Sequence, residues 1–157
     1  MRAPRLSTDF KVIPFEGGHA FDLIERNTSK ATADYGYMLK AYIEAMERPG
    51  HGYTLMRNGH LIASAGVYPV WEGLGEAWVV PSDLIYRYKI ELVKQINHYF
   101  RELLEKHNYR RVQATVRADF ETGHRFIKFF GFKREALLES YGPDGADHVQ
   151  YALLREV

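Results

Sequence analysis

Gly75-Glu76-Ala77-Trp78-Val79-Val80-Pro81-Ser82-Asp83-Leu84 is the stretch whose reading decides the fold. Trp78 and Val80 alternate with Ala77 and Val79, the two-residue period of a strand, so Gly73–Val80 reads as one. Pro81 closes it, because proline has no N–H to give to a ladder. Ser82 then offers a hydroxyl suited to capping a helix. From Asp83 to His107 the period changes. Leu84, Tyr88, Leu92, Ile96, Tyr99 and Leu103 recur at helical spacing, with Arg87, Lys94, Arg101 and Lys106 toward solvent. After Asn108, Arg111–Arg117 alternates again, with Val112, Ala114 and Val116 on its inner face. A strand, a long helix and a second strand make a crossover unit, which joins parallel strands in the right-handed sense.

Working outward, Asn58-Gly59 separates Tyr53–Arg57 from His60–Val67. Asn-Gly accepts the positive φ angles of a type I′ turn, so these runs read as a β-hairpin. Phe10–Phe15 is a short extended run stopped by Pro14 and Gly17-Gly18. Two helical patterns follow it: one over His19–Arg26, the other over Asp34–Arg48, with Tyr35, Met38, Leu39, Tyr42, Ile43 and Met46 on one face. Downstream, Phe120–Phe130 reads as a helix ended by Gly131. Phe132–Tyr141 and His148–Leu154 read as a last hairpin around the turn-rich Gly142-Pro143-Asp144-Gly145. Strands before, between and after helices predict an α/β domain, a mixed and mostly antiparallel central sheet flanked by helices, spanning residues 1–157.

Composition narrows the function. A net charge of +1 gives no bulk attraction toward nucleic acid or an anionic membrane, and neither is expected as a partner. The absence of cysteine removes disulfides, thiolate metal sites and cysteine nucleophiles. With no apolar run of spanning length and no hydrophobic leader, a cytoplasmic location is expected. The seven histidines show no close ligand spacing, so no metal site is expected. Ser64, within Ala63-Ser64-Ala65-Gly66, reads as part of a strand rather than a nucleophile elbow.

The order of elements resembles the GNAT superfamily of N-acetyltransferases. Phe126-Ile127-Lys128-Phe129-Phe130-Gly131-Phe132 is similar to the family's fourth helix, which is aromatic-rich and ends in Gly-Phe; Ala77-Trp78-Val79-Val80-Pro81 resembles the end of its fourth strand. The resemblance implies that this strand splays from the next parallel one and that acetyl-CoA lays its pantetheine arm in the gap, along Trp78, Val79 and Val80. It also implies a Glu on the fourth strand as general base, and Glu76 occupies that place. A carboxylate there takes a proton from an amine directly or through water.

Two positions depart from the family pattern. The family holds the CoA diphosphate on a glycine-rich turn at a helix N-terminus, where backbone donors come close. The matching Pro81–Ile90 contains no glycine, and Asp83 adds a negative charge; Arg87 and Lys89 are the cations available to compensate. The family's acid, a Tyr four residues before the glycine of the Gly-Phe pair, is replaced by Ile127, which leaves Tyr141 as the candidate stand-in. A narrower resemblance joins Val80-Pro81-Ser82-Asp83 with Arg87, and Tyr141–Gly145, to divergent GNAT-like proteins of tailed bacteriophages, including internal virion and assembly proteins of podoviruses. It implies a host-cytoplasm or virion protein that meets phage structural proteins and has lost or weakened acyl transfer. The alternative is an active acetyl-CoA-dependent transferase acting on the primary amine of a small molecule or protein. Gly142–Asp147 is a candidate binding loop, and Arg110, Arg111 and Arg117 are candidate phosphate contacts.

Overall fold

The computed structural model describes residues 10–26, 43, 46–48 and 50–157. In chain order the elements are β1 (Phe10–Pro14), α1 (Gly17–Arg26), β2 (Gly52–Arg57), β3 (His60–Trp71) and β4 (Leu74–Pro81), then a 3-10 turn (Asp83–Tyr86). They continue with α2 (Lys89–Lys106), β5 (Arg111–Arg117), α3 (Glu121–Phe129), β6 (Lys133–Leu138) and β7 (His148–Leu154). The expected helix over Asp34–Arg48 lies outside the described residues except at Ile43 and Met46–Arg48. Ile43 and Met46 are buried.

One sheet of seven strands runs in the order β1-β2-β3-β4-β5-β7-β6. Every neighbouring pair is antiparallel except β4 with β5. The parallel pair is the one joined through α2, as a crossover connection requires. Asn58 and Gly59 both have positive φ, at 48° and 77°, the backbone of the type I′ turn expected there.

Two expectations are refined. β3 runs on to Trp71, past Val67, with its register shifting between Pro69 and Trp71, where proline cannot donate. The helix expected from Asp83 is two pieces. The Ser82 hydroxyl donates to the Ile62 carbonyl at 2.7 Å and accepts from the Leu84 N–H at 3.2 Å. This ties a short 3-10 turn to β3, and α2 begins only at Lys89.

The sheet is covered on both faces. On one, α2 and α3 bury Phe100, Leu103, Leu104, Ile127 and Phe130 against Val67, Val112, Ala114, Val149 and Tyr151. On the other, α1 sets Ala20 and Leu23 against Phe15, Ile43, Met46 and Val80. Burying a side chain the size of Leu or Phe contributes about 1.5–3 kcal/mol, so these two layers dominate the stability.

Candidate active site

The site starts from an incomplete strand pairing. β4 and β5 pair only at Leu74–Arg111, Gly75–Val112 and Glu76–Gln113. Beyond Glu76, among the described residues, β4 continues to Pro81 paired with β3 alone, while β5 continues to Arg117 paired with β7 alone. Backbone donors and acceptors on the two facing edges are therefore unused by the sheet, and such groups are obligate hydrogen-bonders. This is the splay that the sequence resemblance implies.

Glu76 stands at the vertex, the last paired residue. It is half-buried, and burial raises its carboxyl above the usual carboxylate range. Desolvation favours the neutral acid, so a carboxylate here holds a proton more tightly than one in water. Strand alternation puts Trp78 and Val80 on the same face as Glu76, toward α1, and Ala77 and Val79 on the α2 face. Gly52 and Gly66 shape this first face: a Cβ on either would come within 3.0 Å or 2.8 Å of the Trp78 ring. Phe15 meets that ring edge-on at 4.7 Å. Among the described residues the buried Trp78 Nε1–H has no hydrogen-bond acceptor.

On the α2 face the stretch of β4 beyond Glu76 borders a cavity of about 70 Å³. Ala77 and Val79 form its β4 wall, Tyr99 belongs to α2, Phe126 and Ile127 come from α3, and Phe130 caps the end of α3. The position where the family carries its acid thus points an aliphatic side chain at the cavity. Tyr53 and Tyr99 also line it with their rings 4.6 Å apart; burial raises both hydroxyl pKa values and keeps them protonated.

The remaining candidates are dispersed. Arg87 is exposed, its guanidinium 5.9 Å from the centre of the Tyr88 ring. Lys89 opens α2, and its side chain is outside the described residues. Tyr141 is 48% exposed, with its ring 5.2 Å from that of His148. His148 pairs with Arg117, four residues along β5 from the partner of Glu76. At about 3.3 Å per residue, Tyr141 and Glu76 sit at levels ~13 Å apart, one at the mouth of the gap and one at its vertex.

The arginines considered for phosphate have protein partners. Arg111 makes a two-pronged ion pair with Glu135, at 2.8 and 2.6 Å. Arg117 holds Asp119 at 2.8 Å and Asp144 at 2.6 Å, which latches the Gly142–Asp147 loop to the end of β5. Arg110 donates to the Glu72 carbonyl at 3.1 Å. Among the described residues no group of three or more His, Asp or Glu side chains is placed to hold a metal. None of their helices is long and apolar enough to cross a membrane.

Two buried polar chains escaped the sequence reading. His19 Nδ1 accepts from the Glu16 N–H at 3.1 Å and from the Thr54 hydroxyl at 2.8 Å, and the Ser64 hydroxyl donates to Thr54 at 2.7 Å. Ser64 is fully buried in β3, as its strand reading implied. His124 Nε2 faces the Ala118 carbonyl at 3.0 Å and must carry the proton, so Nδ1 accepts from the Tyr151 hydroxyl at 2.7 Å. Partners 27 and 35 residues apart leave no local signal.

No protein-family model matches the sequence, and no curated protein does either. Solved structures match over nearly their whole length. The Ard1 protein of Thermoplasma volcanium superposes with a TM-score of 0.72 at 15% identity, covering 96% of this chain and 100% of its own. A GNAT-family acetyltransferase from Bacillus anthracis gives 0.68 at 16% identity, covering 95% of this chain and 96% of its own. A variant of the spermidine N-acetyltransferase from Vibrio cholerae gives 0.67 at 11%, covering 94% and 95%. Identities this low speak to fold alone, and with the three-residue β4–β5 pairing they establish that the chain has the fold of the GNAT acetyltransferases.

Proposed function

We propose that the chain is an acyl-CoA-dependent N-acyltransferase acting on a primary amine, with Glu76 as its general base. One observation carries the reading: the unpaired edge of β4 begins immediately after a half-buried glutamate with a raised pKa, which stands on the α1 face of the strand while Ala77 and Val79 line an apolar cavity on the α2 face. A desolvated carboxyl beside an open strand edge is a candidate for proton-transfer chemistry.

The residues fit an acyl-CoA in one half. The β4 edge from Ala77 to Val80 offers backbone groups to the amides of a pantetheine arm, and Ala77, Val79 and Ile127 offer apolar walls. For the diphosphate the fit differs from a glycine cradle. Ser82 spends its hydroxyl on Ile62 and Leu84, and Asp83 lies in the first turn of the 3-10 segment. Arg87, Lys89 and the first turn of α2, whose N-cap Tyr88 makes no side-chain hydrogen bond, are the donors assigned to the phosphates. An acyl-CoA, when bound, would supply a thioester whose carbonyl carbon an amine attacks, forming the amide C–N bond and breaking the C–S bond, with CoA leaving as a thiolate that takes its proton from solvent. Glu76 takes the amine proton; its raised pKa suits a base that must also release that proton near neutral pH. Tyr141, at the mouth of the gap, is retained as a donor to substrate rather than as a direct partner of Glu76.

A second reading, a GNAT-fold scaffold with weakened acyl transfer that meets phage structural proteins, is favoured by the glycine-free turn and by Ile127. Isothermal calorimetry with CoA and acetyl-CoA separates the two. Micromolar binding supports the enzyme, and an amine screen follows. Flat titrations with both ligands sink it and leave the scaffold.

A further inference from the structure

The cavity does not stop at the β4–β5 gap. It continues under α2 across the sheet, past Ala65 and Ala63 of β3 and Leu55 of β2, to Val12 of β1, with Ile96 of α2 above. Four adjacent strands at about 4.8 Å spacing make this a slot ~14 Å wide in the direction of the sheet. That is far more than a two-carbon acyl group needs. Its floor is kept open by small side chains: Ala63 pairs with Leu55 and Pro81, and Ala65 with Tyr53 and Val79. Larger residues at those two positions would close it.

We infer that the slot receives the hydrocarbon tail of the acyl donor, so that the preferred donor is an acyl-CoA of four carbons or more rather than acetyl-CoA. The inference rests on the acyltransferase reading and adds the donor class to it. The occupant follows from continuity and chemistry. The slot's β4 wall, Ala77 to Val79, belongs to the stretch whose β5-facing edge is unpaired, where the resemblance would lay a pantetheine arm. Val12, Leu55, Ala63, Ala65, Val79 and Ile96 line it with aliphatic carbon, Gln95, Tyr53 and Tyr99 being its polar neighbours, and an alkyl chain brings no polar group of its own to leave unsatisfied there. A charged amine would find no carboxylate in that lining to pair with.

Each methylene moved from water into such a slot strengthens binding about fourfold, so butyryl-CoA should bind roughly 15-fold tighter than acetyl-CoA. The test is a calorimetric series on the full chain with CoA, acetyl-CoA, butyryl-CoA and hexanoyl-CoA, repeated on Ala63→Val and Ala65→Val. The expected result is affinity that climbs with chain length in the native protein, and a flattened climb in the variants while CoA itself still binds. The native series needs no variant to fold. Equal affinity for all four ligands overturns the long-chain donor and leaves the acyltransferase reading standing. Failure of every ligand, CoA included, overturns that reading and this inference with it.

Discussion

β5 has two different sides. Toward β7 all seven of its residues are paired, Arg111 with Leu154 through to Arg117 with His148. Toward β4 only Arg111, Val112 and Gln113 are paired. The outer half of β5 is therefore firmly held on one side and open on the other. The difference teaches how a sheet keeps a gap from closing. The strand exposing an unused edge is anchored through its other edge, and the anchoring continues into side chains. Tyr151, opposite Ala114 where the β4 pairing has already ended, reaches His124 of α3, and His124 reaches Ala118 just beyond β5. The rigid side is what makes the open side usable.

The largest expected effect lies on the open side. Glu76→Gln should lower acyl transfer by about 10²–10⁴-fold in a steady-state amine assay, the range for losing a general base, with CoA affinity unchanged. In the native protein the rate should rise with pH through a raised carboxyl pKa. Stability should move the other way. The folded Glu76 carboxyl titrates above its unfolded value, so between the two the folded state holds the extra proton and stability falls as pH rises. Glu76→Gln removes that penalty, and thermal melts at neutral pH should show a variant at least as stable as the native chain. A variant that is inactive because it has melted would break the comparison.

Next in size is the packing that places Trp78 beside the vertex. A Cβ at Gly66 would stand 2.4 Å from the His51 carbonyl oxygen, 2.8 Å from Gly52 Cα and 2.8 Å from the Trp78 ring. Two of these are backbone atoms that cannot rotate away. Gly66→Ala should cost about 3 kcal/mol in a denaturant melt, at the upper end for overpacking.

Much of the open side was legible in the sequence. The alternation of Ala77, Trp78, Val79 and Val80, stopped by Pro81, located β4, and Asn58-Gly59 located a hairpin turn, because each signal is local. The break between the 3-10 turn and α2 was not legible. It depends on a Ser82 hydroxyl meeting a carbonyl 20 residues earlier, and nothing near Arg87 or Tyr88 announces it. The rigid side was hidden for the same reason. Arg117 finds Asp144 across 27 residues, and nothing within the Gly-, Pro- and Asp-rich loop announces that latch. Gly66 falls inside the expected His60–Val67 strand and Gly52 just ahead of Tyr53–Arg57, and neither stretch announces that Trp78 lies against them.

A smaller effect probes the rigid side. Tyr151→Phe leaves His124 Nδ1 buried without its donor, which costs about 1–3 kcal/mol. If the anchoring argument holds, the loss has a second signature. Amide exchange should quicken at Ala114–Arg117, where β7 is the only strand partner, and much less at Arg111–Gln113, where β4 also pairs. Uniform quickening along β5 would show that the two halves open together and that the comparison has no dynamic content.

The smallest effect is expected at Arg117. Its contacts with Asp119 and Asp144 are made by exposed carboxylates, and such pairs contribute little to global stability. Asp144 is held below the usual carboxylate range, first by the hydrogen bond from Arg117. A carboxyl depressed in the fold contributes stability that is present above its unfolded pKa and lost as pH falls through the folded one. Arg117→Gln should therefore leave the melting temperature at pH 7 nearly unchanged and make it less sensitive to acid. Exchange should rise in the Gly142–Asp147 loop, because the backbone bond from Ala118 to the Asp147 carbonyl, at 2.9 Å, then holds that end without the latch. Were acyl-CoA affinity to fall as well, the loop would be bracing the mouth of the gap, and the open side would owe its shape to the rigid side through one arginine.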